Sequence, residues 1–145
     1  MNRFKELIVW QESMHLVTAI YAELKTFPSE ELYGLSSQIR RSAISIPSNI
    51  AEGAGRNSPK EFCRFLTIAN GSACELLTQL EIAFRLGFIN EEAFNKLEKN
   101  LNFIRNMLWK LHASVMSTVN TVHEPDEAYD IATFNPSDFE NEYKT

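Results

Sequence analysis

The sequence predicts an all-α fold: an antiparallel up-and-down four-helix bundle over residues 1–122, followed by an acidic tail over residues 123–145. Three observations lead there. Four segments repeat apolar residues at three- and four-residue steps, the spacing of one helix face. The breaks between them are short and carry helix start and stop signals, which suits antiparallel neighbours. The length of 145 residues is enough to enclose a single core of that kind.

The first segment, about residues 7–26, places Trp10, Met14, Val17, Tyr21 and Leu24 in one row, expected to face inward. Phe27-Pro28-Ser29 ends it, because proline disfavours helix in the residue before it and Ser29 can cap the next helix. The second segment, about residues 30–54, aligns Leu35, Ile39, Ala43, Ile46 and Ile50. Pro47 lies inside that row and removes the donor to the Ala43 carbonyl, so a bend is expected where the stripe passes it. Gly53-Ala54-Gly55 is expected to stop the helix.

Ser58-Pro59-Lys60-Glu61 is a strong start for the third segment, with Ser58 at the cap, Pro59 at the first helical position and Glu61 placed for a capping box. Its inward row is Phe62, Leu66, Ala69, Ala73, Leu76, Leu77, Leu80 and Phe84, and Gly87 closes it. Asn90 caps the fourth segment, which runs to about residue 120 with Phe94, Leu97, Leu101, Ile104, Leu108, Leu111 and Val115 inward. In the tail, Pro125, Pro136 and a high acid content argue against a second core. Tyr129, Phe134, Phe139 and Tyr143 alternate with those acids, so the tail either stays loose or lays its aromatics on the body.

Charge narrows the function classes. The net charge of −5 is concentrated after residue 122, where seven carboxylates face only Lys144, leaving the body with thirteen basic against twelve acidic side chains. A nearly neutral body lacks the broad positive surface of a strong nucleic-acid binder. No apolar run reaches the length of a membrane span, and Met1-Asn2-Arg3-Phe4-Lys5-Glu6 does not open a signal segment, so a cytoplasmic protein is expected. Cys63 and Cys74 fall on one helix about 16 Å apart along its axis, too far for a bridge or a shared metal.

No motif announces a reaction, and no cofactor is implied. Glu12-Ser13-Met14-His15 has the Glu-x-x-His spacing of di-iron bundles, but such sites need two copies and further core carboxylates. Here there is one copy, and it points away from the row of Trp10 and Met14. His112 and His123 stand without partners, no serine sits in a nucleophile elbow, and the Gly53-Ala54-Gly55 turn does not follow a strand. The expectation is a binding protein with neither catalytic nor metal-ligating residues.

Two constellations remain. Arg40, Arg41, Arg56, Lys60 and Arg64 form the densest basic region, set against Glu52 and Glu61. They either contact phosphates or pair with acids of a neighbouring helix or subunit, and no aromatic interleaving marks a base-stacking platform among them. On the third helix, Ile68, Ile82 and Leu86 project about 200–240° from Phe62, onto a back face shared with Gly71 and Glu75. A small residue amid apolar neighbours suits a second, self-associating interface; scattered surface aliphatics are the alternative.

Two runs carry a wider likeness: Gln38-Ile39-Arg40-Arg41-Ser42-Ala43-Ile44-Ser45-Ile46-Pro47-Ser48-Asn49-Ile50-Ala51-Glu52-Gly53 and Ala69-Asn70-Gly71-Ser72-Ala73-Cys74-Glu75-Leu76. With Val9-Trp10-Gln11, Phe27-Pro28 and Leu86-Gly87, they resemble the four-helix family of 23S ribosomal RNA intervening-sequence proteins over about residues 4–118. The resemblance implies an up-and-down bundle that assembles as a homopentamer. It also implies kinship with the accessory protein of diversity-generating retroelements, which binds nucleic acid and a reverse transcriptase. RNA or DNA, and a protein partner, are therefore the expected ligand classes. On the same resemblance Arg40, Arg41, Ser45, Asn49, Glu52, Gly71, Ser72 and Glu75 are signature positions, with packing or subunit contact as their expected roles.

Overall fold

The computed structural model describes residues 3–121 and contains four long helices: α1 (Ile8–Leu24), α2 (Leu35–Gly55), α3 (Pro59–Arg85) and α4 (Glu91–Thr121). Short 3₁₀ turns at Arg3–Glu6 and Ser29–Glu31 precede α1 and α2. Each helix packs on its neighbours in sequence, and α4 closes the ring on α1. Side-chain pairs fix the directions: Ser42 meets Gln79 while Ser45 meets Ser72, and Cys63 meets His112 while Asn70 meets Arg105. One index rises as the other falls in both seams, the mark of antiparallel neighbours. The expected acidic tail lies outside the described residues.

The core follows the predicted rows of α2, α3 and α4. Ile39, Ile46, Ile50, Phe62, Leu66, Leu76, Leu80, Leu101, Ile104 and Leu108 are fully buried in one cluster. Burial of each such side chain stabilises by roughly 1.5–3 kcal/mol, so this shared cluster is what holds the four helices together.

The row predicted for α1 is corrected. The buried residues are Val9, Ser13, Leu16 and Ile20, about one residue's rotation away, whereas Met14 and Tyr21 are 40% and 43% exposed. Two apolar rows run side by side on this helix, and Ser13 makes the true inner one look polar. Its hydroxyl donates to the Trp10 carbonyl at 2.8 Å, which removes most of the penalty for burying it.

The start of α2 differs from expectation, because Ser29 opens only a 3₁₀ turn and α2 begins at Leu35, whose N–H donates to the Glu31 carboxylate at 3.0 Å. The ends of α3 and the start of α4 agree with the sequence chemistry. Ser58 Oγ accepts from the Glu61 N–H at 3.3 Å, although the Glu61 carboxylate turns toward Arg64. Asn90 Oδ1 accepts from Ala93 N–H at 2.8 Å. At the end of α3, Gly87 has φ +78°, the Phe88 N–H donates to the Ala83 carbonyl at 2.9 Å and the Gly87 N–H to the Phe84 carbonyl at 3.0 Å. That pair of bonds is a Schellman closure, which glycine adopts without strain.

The end of α2 falls at Gly55, within the expected Gly53-Ala54-Gly55 stop. Helix α2 runs unbroken through Pro47 and through Gly53; the left-handed residue that turns the chain is Asn57, at φ 53°. Gly53 has another role, because a Cβ there would lie 2.5 Å from Phe65 Cβ and 3.0 Å from Phe62 Cδ2. It is the residue that lets α2 and α3 approach closely.

Candidate functional surface between the second and third helices

Close approach at Gly53 brings the polar sides of α2 and α3 into hydrogen-bond range along their outer seam. Ser45 Oγ and Ser72 Oγ are 2.8 Å apart. Asn49 Nδ2 donates to the Ser45 carbonyl at 2.8 Å and to its hydroxyl at 2.9 Å. One turn toward the other end, Ser42 Oγ donates to Gln79 Oε1 at 2.6 Å, and Gln79 Nε2 donates to Glu75 Oε1 at 3.2 Å. Residues far apart in sequence thus form a ladder: Asn49, Ser45 and Ser72, then Ser42, Gln79 and Glu75.

Beside the ladder, Gln38, Arg41, Ser42, Ser45 and Glu75 line a depression of about 460 Å³. The Arg41 side chain is exposed and makes no ion pair among the described residues. Among the described residues, neither hydroxyl of the Ser45–Ser72 pair is bonded to a histidine, lysine or carboxylate, the groups that activate a serine nucleophile.

The outer face of α3 continues from this seam. Ile68, Glu75 and Ile82 recur at steps of seven and form a nearly straight line, with Leu86 just beyond. Exposure is 41% at Ile68, 43% at Ile82 and 58% at Leu86. A Cβ on Gly71 would meet nothing within 4 Å. The small residue expected to admit a close neighbour therefore has none among the described residues, and among them the face lies open.

The five basic positions separate into two groups. Arg40 is half-buried, and its Nη2 donates to the Leu32 carbonyl at 2.9 Å; it and Arg41 sit about 22 Å along α2 from Arg56. Arg56, Lys60 and Arg64 gather at the α2–α3 turn instead. Both guanidinium carbons stand over the Phe65 ring, 5.2 Å (Arg56) and 5.1 Å (Arg64) from its centroid. Arg56 also reaches Glu52 at 2.8 Å and Arg64 reaches Glu61 at 3.7 Å, both as exposed pairs worth little in water.

The histidine and cysteine motifs behave as surface or core groups. His15 is 79% exposed and lies 3.9 Å from Glu12, and no cluster of three metal-ligating side chains occurs among the described residues. Cys63 is buried with its thiol 3.7 Å from the His112 carbonyl, and burial pushes that thiol above its usual pKa. Cys74 is half-exposed. Iodoacetamide at neutral pH should therefore modify Cys74 in the native protein and reach Cys63 only on unfolding, a result that peptide mass mapping reads directly. Equal labelling of the two thiols would contradict the described burial.

One element of the surface has no counterpart in the sequence reading. Trp109 on α4 is 73% exposed at the mouth of a groove of about 500 Å³ between α3 and α4. Its one signal in the sequence is an aromatic standing off the inward row, directly after Leu108. Among the described residues, no helix is long and apolar enough to cross a membrane.

A family model described as 23S rRNA-intervening sequence protein matches residues 5–110. Among solved structures, the chain is similar to a protein of unknown function from the S23 ribosomal protein family of Bacteroides thetaiotaomicron. The two are 27% identical with a TM-score of 0.66, over 72% of this chain and 98% of the other. No curated protein matches the chain.

Proposed function

The chain belongs to the 23S rRNA-intervening sequence protein family, and from that membership we propose a non-catalytic, self-associating nucleic-acid-binding protein that meets RNA phosphates at its basic end. The observation that carries this reading is the ordered arginine pair at the α2–α3 turn. Phe65 holds the Arg56 and Arg64 guanidiniums about 5 Å from its ring, and Lys60 is exposed on the first turn of α3. Cations already held in place lose less freedom when an anion arrives. Their exposed carboxylate partners contribute so little that phosphates replace them readily.

The reading predicts a moderate salt dependence. Three phosphate contacts to single-stranded RNA give a slope of about −2 in log K against log salt, so raising salt from 50 to 200 mM weakens binding roughly twentyfold. Arg64→Ala reduces the slope by about 0.7. Anisotropy titration of a labelled RNA hairpin with an unpaired loop measures both. No binding to that hairpin at 50 mM salt removes the proposal.

A second reading, a scaffold that recruits a protein partner without nucleic acid, rests on the open apolar line of Ile68, Ile82 and Leu86. Intact self-association with no RNA binding is its signature.

A further inference from the structure

The α3/α4 groove collects side chains of one recognisable chemistry. Asn102 and Asn106 stand on successive turns of α4, Asn70 faces them from α3, and each amide offers paired donors and an acceptor. Arg105 is half-buried there. Its bond to Asn70 Oδ1 is long, at 3.4 Å, and it makes no ion pair with any described carboxylate. Over this floor rises the Trp109 indole, 73% exposed.

A cation with no carboxylate partner among the described residues, three amide edges and an aromatic plane that those residues leave exposed fit a planar, hydrogen-bonding, anionic ligand. The volume of about 500 Å³ is that of a small-molecule site. We infer that this groove receives an unpaired nucleotide, with its base stacked on Trp109, its edge on the asparagine amides and its phosphate toward Arg105.

The place of the groove in the bundle links it to the basic end. Cys63 on α3 lies level with His112 on α4, since its thiol contacts that residue's carbonyl. Trp109 is one turn from His112 in one direction and Lys60 one turn from Cys63 in the other, so about 9 Å of axial distance separates their levels. Arg64 falls between. Phe65 in the basic segment is buried beneath two guanidiniums, so an open aromatic platform is supplied by another helix instead. A strand with its phosphates along Lys60 and Arg64 would bring its next bases to the indole. Stacking on an exposed aromatic and a positive track for the backbone are the two parts of single-strand binding sites.

This inference rests on the RNA-binding reading, and its test separates the two. An octauridylate strand is titrated against the full chain and against Trp109→Ala and Trp109→Phe, by anisotropy and by tryptophan fluorescence, with uridine monophosphate as a second probe. The expected result is saturable quenching of the wild type by both probes, because Trp10 is half-buried against Phe4 and contributes a steady background. Trp109→Ala should weaken octauridylate binding about tenfold with the salt slope unchanged, and Trp109→Phe should retain most of the affinity.

If the wild type binds with a salt slope and Trp109→Ala matches it within twofold, the groove is not a base site and the phosphate reading stands. If RNA fails to bind at 50 mM salt, the phosphate reading fails, and uridine monophosphate alone then decides the groove: quenching sustains it and no quenching overturns it. Poor quenching of Trp109 by acrylamide in the free protein also overturns it, since the indole would then be covered in the assembly.

Discussion

Gly53→Ala should lower the unfolding free energy by about 2 kcal/mol and the melting temperature by roughly 8 °C, although alanine is the better helix former. The added methyl would sit 2.5 Å from Phe65 Cβ and 3.0 Å from Phe62 Cδ2. The nearer atom is the first of its side chain and cannot swing aside, so α2 and α3 must separate. Overpacking of that kind costs about 1–3 kcal/mol, and often more where backbone has to move. Separation also stretches the Ser45–Ser72 pair at 2.8 Å and the Ser42–Gln79 bond at 2.6 Å, each worth about 1 kcal/mol. Against these stands a helix-propensity gain of about 1 kcal/mol. Gly71→Ala is the matched control, because its Cβ meets nothing and only the propensity gain remains in the protomer. Thermal melts at a concentration low enough for the proteins to sediment as protomers should order the variants as Gly53→Ala, wild type, Gly71→Ala. A Gly53→Ala melt at the wild-type temperature would show that the α2/α3 seam is looser than described.

Much of this architecture is legible from local pattern, and each failure has a physical origin. The rows of α2, α3 and α4 stand out because one apolar face alternates with a polar one, and Ser58, Gly87 and Asn90 mark their ends through bonds that the structure contains. Helix α1 misleads because it is apolar on two adjacent rows, and only packing against its neighbours decides that Leu16 and Ile20 go in while Met14 and Tyr21 stay partly out. The stop at Gly55 is legible but the clearance role of Gly53 is not, because a glycine needed for clearance looks the same, in sequence, as one needed for backbone conformation.

The candidate site is legible residue by residue but not as a shape. Ser45, Asn49, Ser72 and Glu75 can be singled out, yet their joining into one ladder depends on the register between α2 and α3. The basic cluster reads as one region because Arg40 and Arg41 precede Arg56 by a short stretch of sequence, a stretch that becomes about 22 Å when helical. Trp109 is invisible for the opposite reason: its partners in the groove include Asn70 and Thr67 of another helix. Distance along a chain and distance in a bundle are nearly independent once the helices are antiparallel.

Ile82→Arg should convert the proposed assembly to a protomer of 16.6 kDa while leaving its helicity unchanged. The side chain is 43% exposed, so an arginine there keeps its charge in water and disturbs no core contact. Covering Ile68, Ile82 and Leu86 completely would remove roughly 250 Å² of further apolar surface per protomer, worth about 6 kcal/mol. Association costs on the order of 4–15 kcal/mol in lost freedom, so this line is needed for stable self-association without being in large excess. Burying an unpaired arginine in its middle costs several kcal/mol more, which tips the balance to dissociation. Gly71→Ala sharpens the test because its two effects oppose: it stabilises the isolated helix by about 1 kcal/mol but blocks a neighbour that approaches over the open glycine. Sedimentation and circular dichroism of the same samples separate the two effects. A wild-type protein that sediments as a protomer at tens of micromolar would show that the apolar line on α3 remains in water, and with it the self-association proposed for this chain would fall.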